Sequence, residues 1–398
     1  MDEPSIAFHP LSFVPQRDGV MVGRADTNTF VALPDDGAEL LRRMVDGESP
    51  EQAAGWYRST FGETVDLDDF VGTLTELGFV RAPGEPAAER PSVRYRRLGR
   101  AMFSPAAWIA YACLVAATGV AMVRQPELRP NPDHVFFLPS LIAVQVILVL
   151  SQIPGLLAHE WFHVMAGRRH NLPTRLRVGR RLFFAVFETE LNGLLSLPRS
   201  QRHVAFLAGM LGDVLIAAAL TLAAAVEPGH WLAQLALAVA YLTLIRLAWQ
   251  LLIFLRTDLY YVLTTALGCT NLTGAAKAWL RDRVRRLRGV PPVPADADEW
   301  SDRDRRYAPW FALLTVVGTA ALLGVLAIAA VPVFAGFAVR LRDGLEHGLA
   351  DPVKFWDSAA SLAVLSVQFG VFPLVAGLLS RAGKPAPNQE SVTAQGVS

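Results

Sequence analysis

At 398 residues the chain is long enough for two or three soluble domains. A hydrophobic fraction of 52% with only 18% charged residues, and a mean hydropathy of +0.32, exclude a wholly soluble protein. A net charge of +1 provides no global field for nucleic acid or an acidic ligand. Cys113 and Cys269 lie far apart and outside any metal-ligand spacing, which excludes a disulfide framework or a cysteine zinc knuckle.

Residues 1–88 read as a small α+β domain. Strand-type runs at Leu11–Gln16, Val20–Gly23 and Thr29–Leu33 are separated by turn residues such as Asp18-Gly19. Helical spacing then sets Leu40, Leu41 and Met44 on one face of Asp36–Val45. Ser49-Pro50-Glu51-Gln52 is a capping box with proline at its first helical position, opening a helix to about Thr60. A third helix, Asp66–Leu77, turns Phe70, Leu74 and Leu77 inward, and a closing strand is expected at Gly78–Arg81. The order predicts a winged-helix-like unit. Its roughly ten-residue excess of acidic over basic side chains is the wrong sign for reading DNA, so no nucleic-acid partner is expected. The chain opens on Met1-Asp2-Glu3-Pro4 with no signal-peptide pattern, so this domain is expected to stay in the cytoplasm. A basic linker, 89–102, follows.

From 103 to 380 the sequence reads as a polytopic membrane bundle. Six apolar runs, at about 103–123, 136–158, 204–226, 231–255, 309–337 and 359–380, are each long enough to cross ~30 Å of hydrocarbon. A seventh stretch, Leu182–Leu197, contains Glu188, Glu190 and Asn192. It is too polar to cross and predicts a re-entrant or interfacial hairpin. Arginines crowd before the first run, after the second (Arg168, Arg169, Arg175, Arg177, Arg180, Arg181) and after the fourth (Arg256 to Arg288). The positive-inside rule therefore predicts a multi-pass cell-membrane protein with both termini cytoplasmic. Within the last cluster, Arg281, Arg285 and Arg288 share a helix face suited to an anionic lipid surface. Residues 381–398 read as a disordered tail.

At the cytoplasmic end of the second run stands His159-Glu160-Trp161-Phe162-His163. Histidines four apart share one face of a helix and can grip one metal ion, Zn²⁺ above all, while Glu160 can act as general base on a water. A tetrahedral catalytic site needs a third protein ligand at the same depth. Asp258, at the end of the fourth run, is the candidate, although an interfacial carboxylate paired with Arg256 would look the same in sequence. Asp213 is an ionisable group inside a span, about 15 Å beyond His203. Arg246 lies at the same depth, so the two predict a structural ion pair; a fourth ligand or a proton relay is the other role open to Asp213. Glu188, Glu190 and Asn192 are candidates to line a groove where an extended peptide adds as a strand, or simply to cap a turn.

These residues together resemble the site-2 protease family of intramembrane zinc metalloproteases, and more closely the peptide zinc metalloproteases encoded beside bacterial peptide-maturation genes. Their Leu-Asp-Gly-Tyr-Tyr motif is matched by Thr257-Asp258-Leu259-Tyr260-Tyr261, and their Ala-Gly-Pro-x-x-Asn segment by Ala208-Gly209-Met210-Leu211-Gly212-Asp213. The first domain is similar to PqqD-like domains, which bind leader segments of precursor peptides. Val22-x-x-Ala25, Asp36-Gly37-Ala38-Glu39-Leu40-Leu41 and Glu76-Leu77-Gly78-Phe79-Val80 carry that likeness. The resemblance covers residues 8–275 and implies a zinc endopeptidase with His159, His163 and Asp258 on the metal and Glu160 as base, and with residues 1–88 holding a peptide leader. Phe162, Leu259, Met210 and Asp213 depart from the family pattern and bear on substrate choice and turnover. A membrane peptide-binding or export partner with a structural or idle zinc site is the alternative.

Overall fold

The computed structural model describes residues 6–16, 19–82, 84–86, 93–181, 184–190, 193–291, 300–346 and 350–367. It is mainly α-helical, with a small three-stranded sheet at the N-terminal end.

That sheet is antiparallel in the order β1 (Ser12–Gln16), β2 (Gly19–Arg24), β3 (Thr29–Leu33). Inward side chains alternate as strand geometry requires, and Val22, Val31 and Leu33 bury against α1 (Asp35–Val45) through Leu40, Leu41 and Met44. α2 (Pro50–Phe61) starts at a complete capping box in which Ser49 and Gln52 satisfy each other's backbone N–H. α3 (Leu67–Glu76), capped by Asp66, adds Phe70 and Leu74 to the same core. The closing strand expected at Gly78–Arg81 is reduced to one bridge, Phe8 with Val80, because Gly78, at φ +70°, is taken into the turn that ends α3, where Phe79 N donates to the Leu74 carbonyl at 2.9 Å.

Part of the stretch expected to be a linker is helical. α4 (Arg96–Met102) lies so close to a later helix that a Cβ on Gly99 would stand 2.6 Å from the Met165 carbonyl oxygen. α5 (Pro105–Arg124), α6 (Leu141–Arg168), α7 (Arg199–Ala224) and α8 (Trp231–Trp249) follow, and each is long and apolar enough to cross a membrane. Half of the apolar window of α7 is buried, against 6% for α5, so α7 is the hub and α5 turns its side chains outward. Five such helices occur among the described residues, the fifth being Asp302–Gly324 within α11 (Asp302–Glu346). This is a membrane protein by that measure. α9 (Asp258–Leu267) and α10 (Leu272–Leu287) precede α11, and α12 (Pro352–Ser366) follows it. Most of the sixth expected span and all of the tail lie outside the described residues. The Asp357 carboxylate of α12 accepts from the Ser140 hydroxyl and from Leu141 N at 2.8 Å, capping the start of α6.

Two further elements differ from the expectation. The hairpin begins earlier than Leu182: β4 (Arg175–Arg181) pairs antiparallel with β5 (Phe184–Glu190), register Arg175↔Glu190 and Arg177↔Glu188. The Arg-Leu-Arg-Val alternation is a strand pattern that its charge disguises as a loop. The fourth span stops at Trp249 instead of 255. The chain unwinds through a short 3-10 turn, Ile253–Leu255, before α9 begins at Asp258.

The N-terminal domain is fastened to the segment between β5 and α7. Asn28 Oδ1 accepts from Gly193 N at 2.9 Å, and Arg199 Nε donates to Gln16 Oε1 at 2.6 Å.

Candidate metal centre

His159 and His163 face inward from the last turns of α6, and both are buried. Their aim comes from α7. His159 Nδ1 lies 2.9 Å from Asp213 Oδ2, and His163 Nδ1 lies 2.8 Å from the Ala205 carbonyl oxygen. A carboxylate and a carbonyl can only accept, so each imidazole donates from Nδ1 and, in its neutral form, carries its lone pair on Nε2. The two Nε2 atoms are 3.2 Å apart.

Asp213 has no exposed surface, and its charge is answered by Arg246 on α8. Arg246 donates from Nη2 to Oδ1 at 2.6 Å and from Nε to Oδ2 at 3.2 Å, the two-pronged geometry that makes guanidinium–carboxylate pairs strong. Arg246 Nη1 also reaches Gln152 Oε1 at 3.4 Å. Asp213 thus sits on the side of the His159 ring away from Nε2. It orients the histidine and does not join the cluster of free lone pairs.

The third group arrives through the unwinding that follows α8. Gln250 folds the chain back on itself there. Its side-chain oxygen accepts from Asp258 N at 3.1 Å, and its carbonyl accepts from Thr257 Oγ1 at 2.7 Å. Tyr261 stacks on Phe206 of α7 with ring centres 5.6 Å apart, which fixes α9 against the hub. Arg256 turns away to the Tyr260 ring, 5.8 Å distant. Asp258 Oδ2 is left 3.2 Å from His159 Nε2 and 3.4 Å from His163 Nε2.

These distances are those of a tetrahedral metal site. Nitrogen and oxygen ligands about 2.0–2.1 Å from one ion stand roughly 3.3–3.4 Å from each other. Asp258 Oδ2 is buried and takes no other hydrogen bond, so it faces the two Nε2 atoms as the third potential ligand of one ion. The space between them is kept by Gly209, where a Cβ would lie 2.3 Å from His163 Nε2 and 2.4 Å from His159 Nε2. Among the described residues, His159, His163 and Asp258 are the group of this kind.

Glu160 lies between the histidines, half-buried, about 100° around α6 from His159. Phe162 packs on α7 over Gly212, where a Cβ would come within 2.8 Å of its ring, so the bulky residue is accommodated by a missing side chain opposite. Glu188 and Glu190 are on β5, and Asn192 lies outside the described residues. His170 accepts from Arg169 Nε at 2.8 Å, away from the cluster. Gly209, Gln152 and Gln250 are supporting residues that the sequence reading does not single out. The short Gly209-to-Gly212 spacing, within the segment already matched to the Ala-Gly-Pro-x-x-Asn pattern, is a signal of close packing that could have found the first of them. No family model, curated protein or solved structure matches this chain.

Proposed function

We propose that this chain is a membrane-embedded zinc endopeptidase that cuts a peptide or membrane-anchored substrate near the cytoplasmic leaflet, in the maturation of a ribosomally made peptide. The observation that carries the reading is the convergence of His159 Nε2, His163 Nε2 and Asp258 Oδ2 at 3.2–3.4 Å, with no other hydrogen bond to Asp258 Oδ2. When bound there, zinc would supply a Lewis acid that polarises a peptide carbonyl and acidifies water. Asp213 and the Ala205 carbonyl hold the two imidazoles in the required tautomer. Glu160 takes a proton from the attacking water and returns it to the departing amine. Arginine-rich segments at this end of the helices support the cytoplasmic side. The fastening of residues 1–88 beside the β4–β5 hairpin supports a role in presenting a peptide's leader segment to the same end of the bundle.

The test is zinc per chain in detergent-purified protein, together with processing of a co-expressed precursor peptide. The reading expects about one zinc in wild type, marked loss in His163→Ala and Asp258→Ala, and retained zinc without processing in Glu160→Gln. Retained zinc with undiminished processing in Glu160→Gln would overturn the catalytic assignment.

A further inference from the structure

On the flank of the bundle, Trp279, Leu280 and Arg283 of α10 face Trp310, Leu313 and Val316 of α11 across an open groove lined almost wholly by apolar atoms. Its α11 side, from Pro309 to Val316, forms the first two turns of the apolar run that follows the charged stretch Asp302 to Arg306. That is the level where headgroups meet acyl chains, and tryptophan favours it. Both tryptophans, Leu313 and Val316 are exposed. α10 also concentrates positive charge: with the adjoining Arg288 it carries Lys277, Arg281, Arg283, Arg285 and Arg286 against the single acid Asp282.

We propose that this groove is a binding site for one anionic phospholipid, with an acyl chain along the tryptophans and the phosphate on Arg283. The apolar walls would hold any acyl chain. Selectivity comes from the cationic helix, which favours a headgroup whose phosphate is not offset by its own ammonium. The sequence pattern points to Arg281, Arg285 and Arg288 as the lipid face, but Arg283 is the arginine at the groove, about 160° around the helix from Arg281. The site also touches the metal centre's scaffold. Ala312, in the groove lining, packs in one cluster with Tyr260, whose hydroxyl oxygen accepts from Thr273 N at 3.3 Å.

The experiment is native mass spectrometry of the full chain in detergent, titrated separately with phosphatidylglycerol and phosphatidylcholine. The expected result is one retained phosphatidylglycerol at concentrations where phosphatidylcholine is lost. Arg283→Gln should weaken retention about five-fold, and Arg281→Gln should weaken it much less. Equal retention of the two lipids by wild type overturns the proposal without recourse to any variant. Equal weakening by both substitutions overturns the placement at Arg283.

Discussion

Arg246→Met removes the counter-charge of a carboxylate that has no exposed surface and leaves the carboxylate in place beside His159. Breaking a buried pair on one side only costs about 3–5 kcal/mol, because the surviving charge is stranded in a low-dielectric interior. Arg246 also holds in place Asp213, the group that orients His159, and disturbing such a support costs roughly 10–100-fold in metal affinity at a metal site. Arg246→Met is therefore expected to lower both thermal stability and zinc affinity. Asp213→Asn combined with Arg246→Met strands no charge, and the amide oxygen can still accept from His159 Nδ1. The double variant should be more stable than Arg246→Met alone and recover much of its zinc affinity. The assay is a competitive chelator titration for zinc, with an unfolding scan for stability, on all four members of the cycle. Additive losses, with the double variant worse than either single one, would refute the argument that the pair acts as a unit.

Gly209→Ala should abolish zinc binding while leaving helix content intact, since alanine is the better helix former by about 1 kcal/mol and its methyl would stand 2.3–2.4 Å from both Nε2 atoms; full zinc occupancy by metal analysis would contradict it. Tyr57 donates to the Asp36 carboxylate, which pushes the phenol up to about 12. Its folded value lies above the ordinary value near 10, so this bond stabilises the domain below about pH 10 and the contribution is lost as pH rises towards 12. In a tyrosinate absorbance titration, Tyr57→Phe should remove a late-titrating component; removal of a component near 10 would contradict the assignment. Burial and the neighbouring Asp304 carboxylate push the Cys269 thiol up to about 12. In a Cys113→Ser background, maleimide labelling at pH 8 should be slow and should accelerate in Asp304→Asn; fast labelling of the parent would refute it.

The local signals in the chain are strong where one residue type answers one physical need. The capping box at Ser49 and the strand alternation at Thr29–Leu33 can be read without any tertiary information. The histidine spacing at 159 and 163 likewise shows two imidazoles on one face. What cannot be read depends on partners. Hydropathy runs unbroken through Leu251–Leu255, so the end of α8 at Trp249 is invisible until Gln250 is seen to bond Thr257 and Asp258. Gly209 looks like any small residue in a span; its importance lies in how closely α7 approaches α6. The arginines of β4 obey the charge rule for a loop and the spacing rule for a strand, and pairing with β5 decides between them.

The break between α8 and α9 also governs supply. A helix that ends leaves carbonyl groups without partners from its own ladder, and in hydrocarbon each costs several kcal/mol. Short turns such as Leu255 N to the Leu252 carbonyl occupy some of them. The Thr257 hydroxyl donates to the Gln250 carbonyl, so polar groups gather at this break next to Asp258. Under the proposed function, hydrolysis would consume one water for every bond cut, and an unbroken apolar helix would seal the centre from that second reactant. The unwound turn would give that water polar groups beside Asp258 in place of a continuous apolar wall.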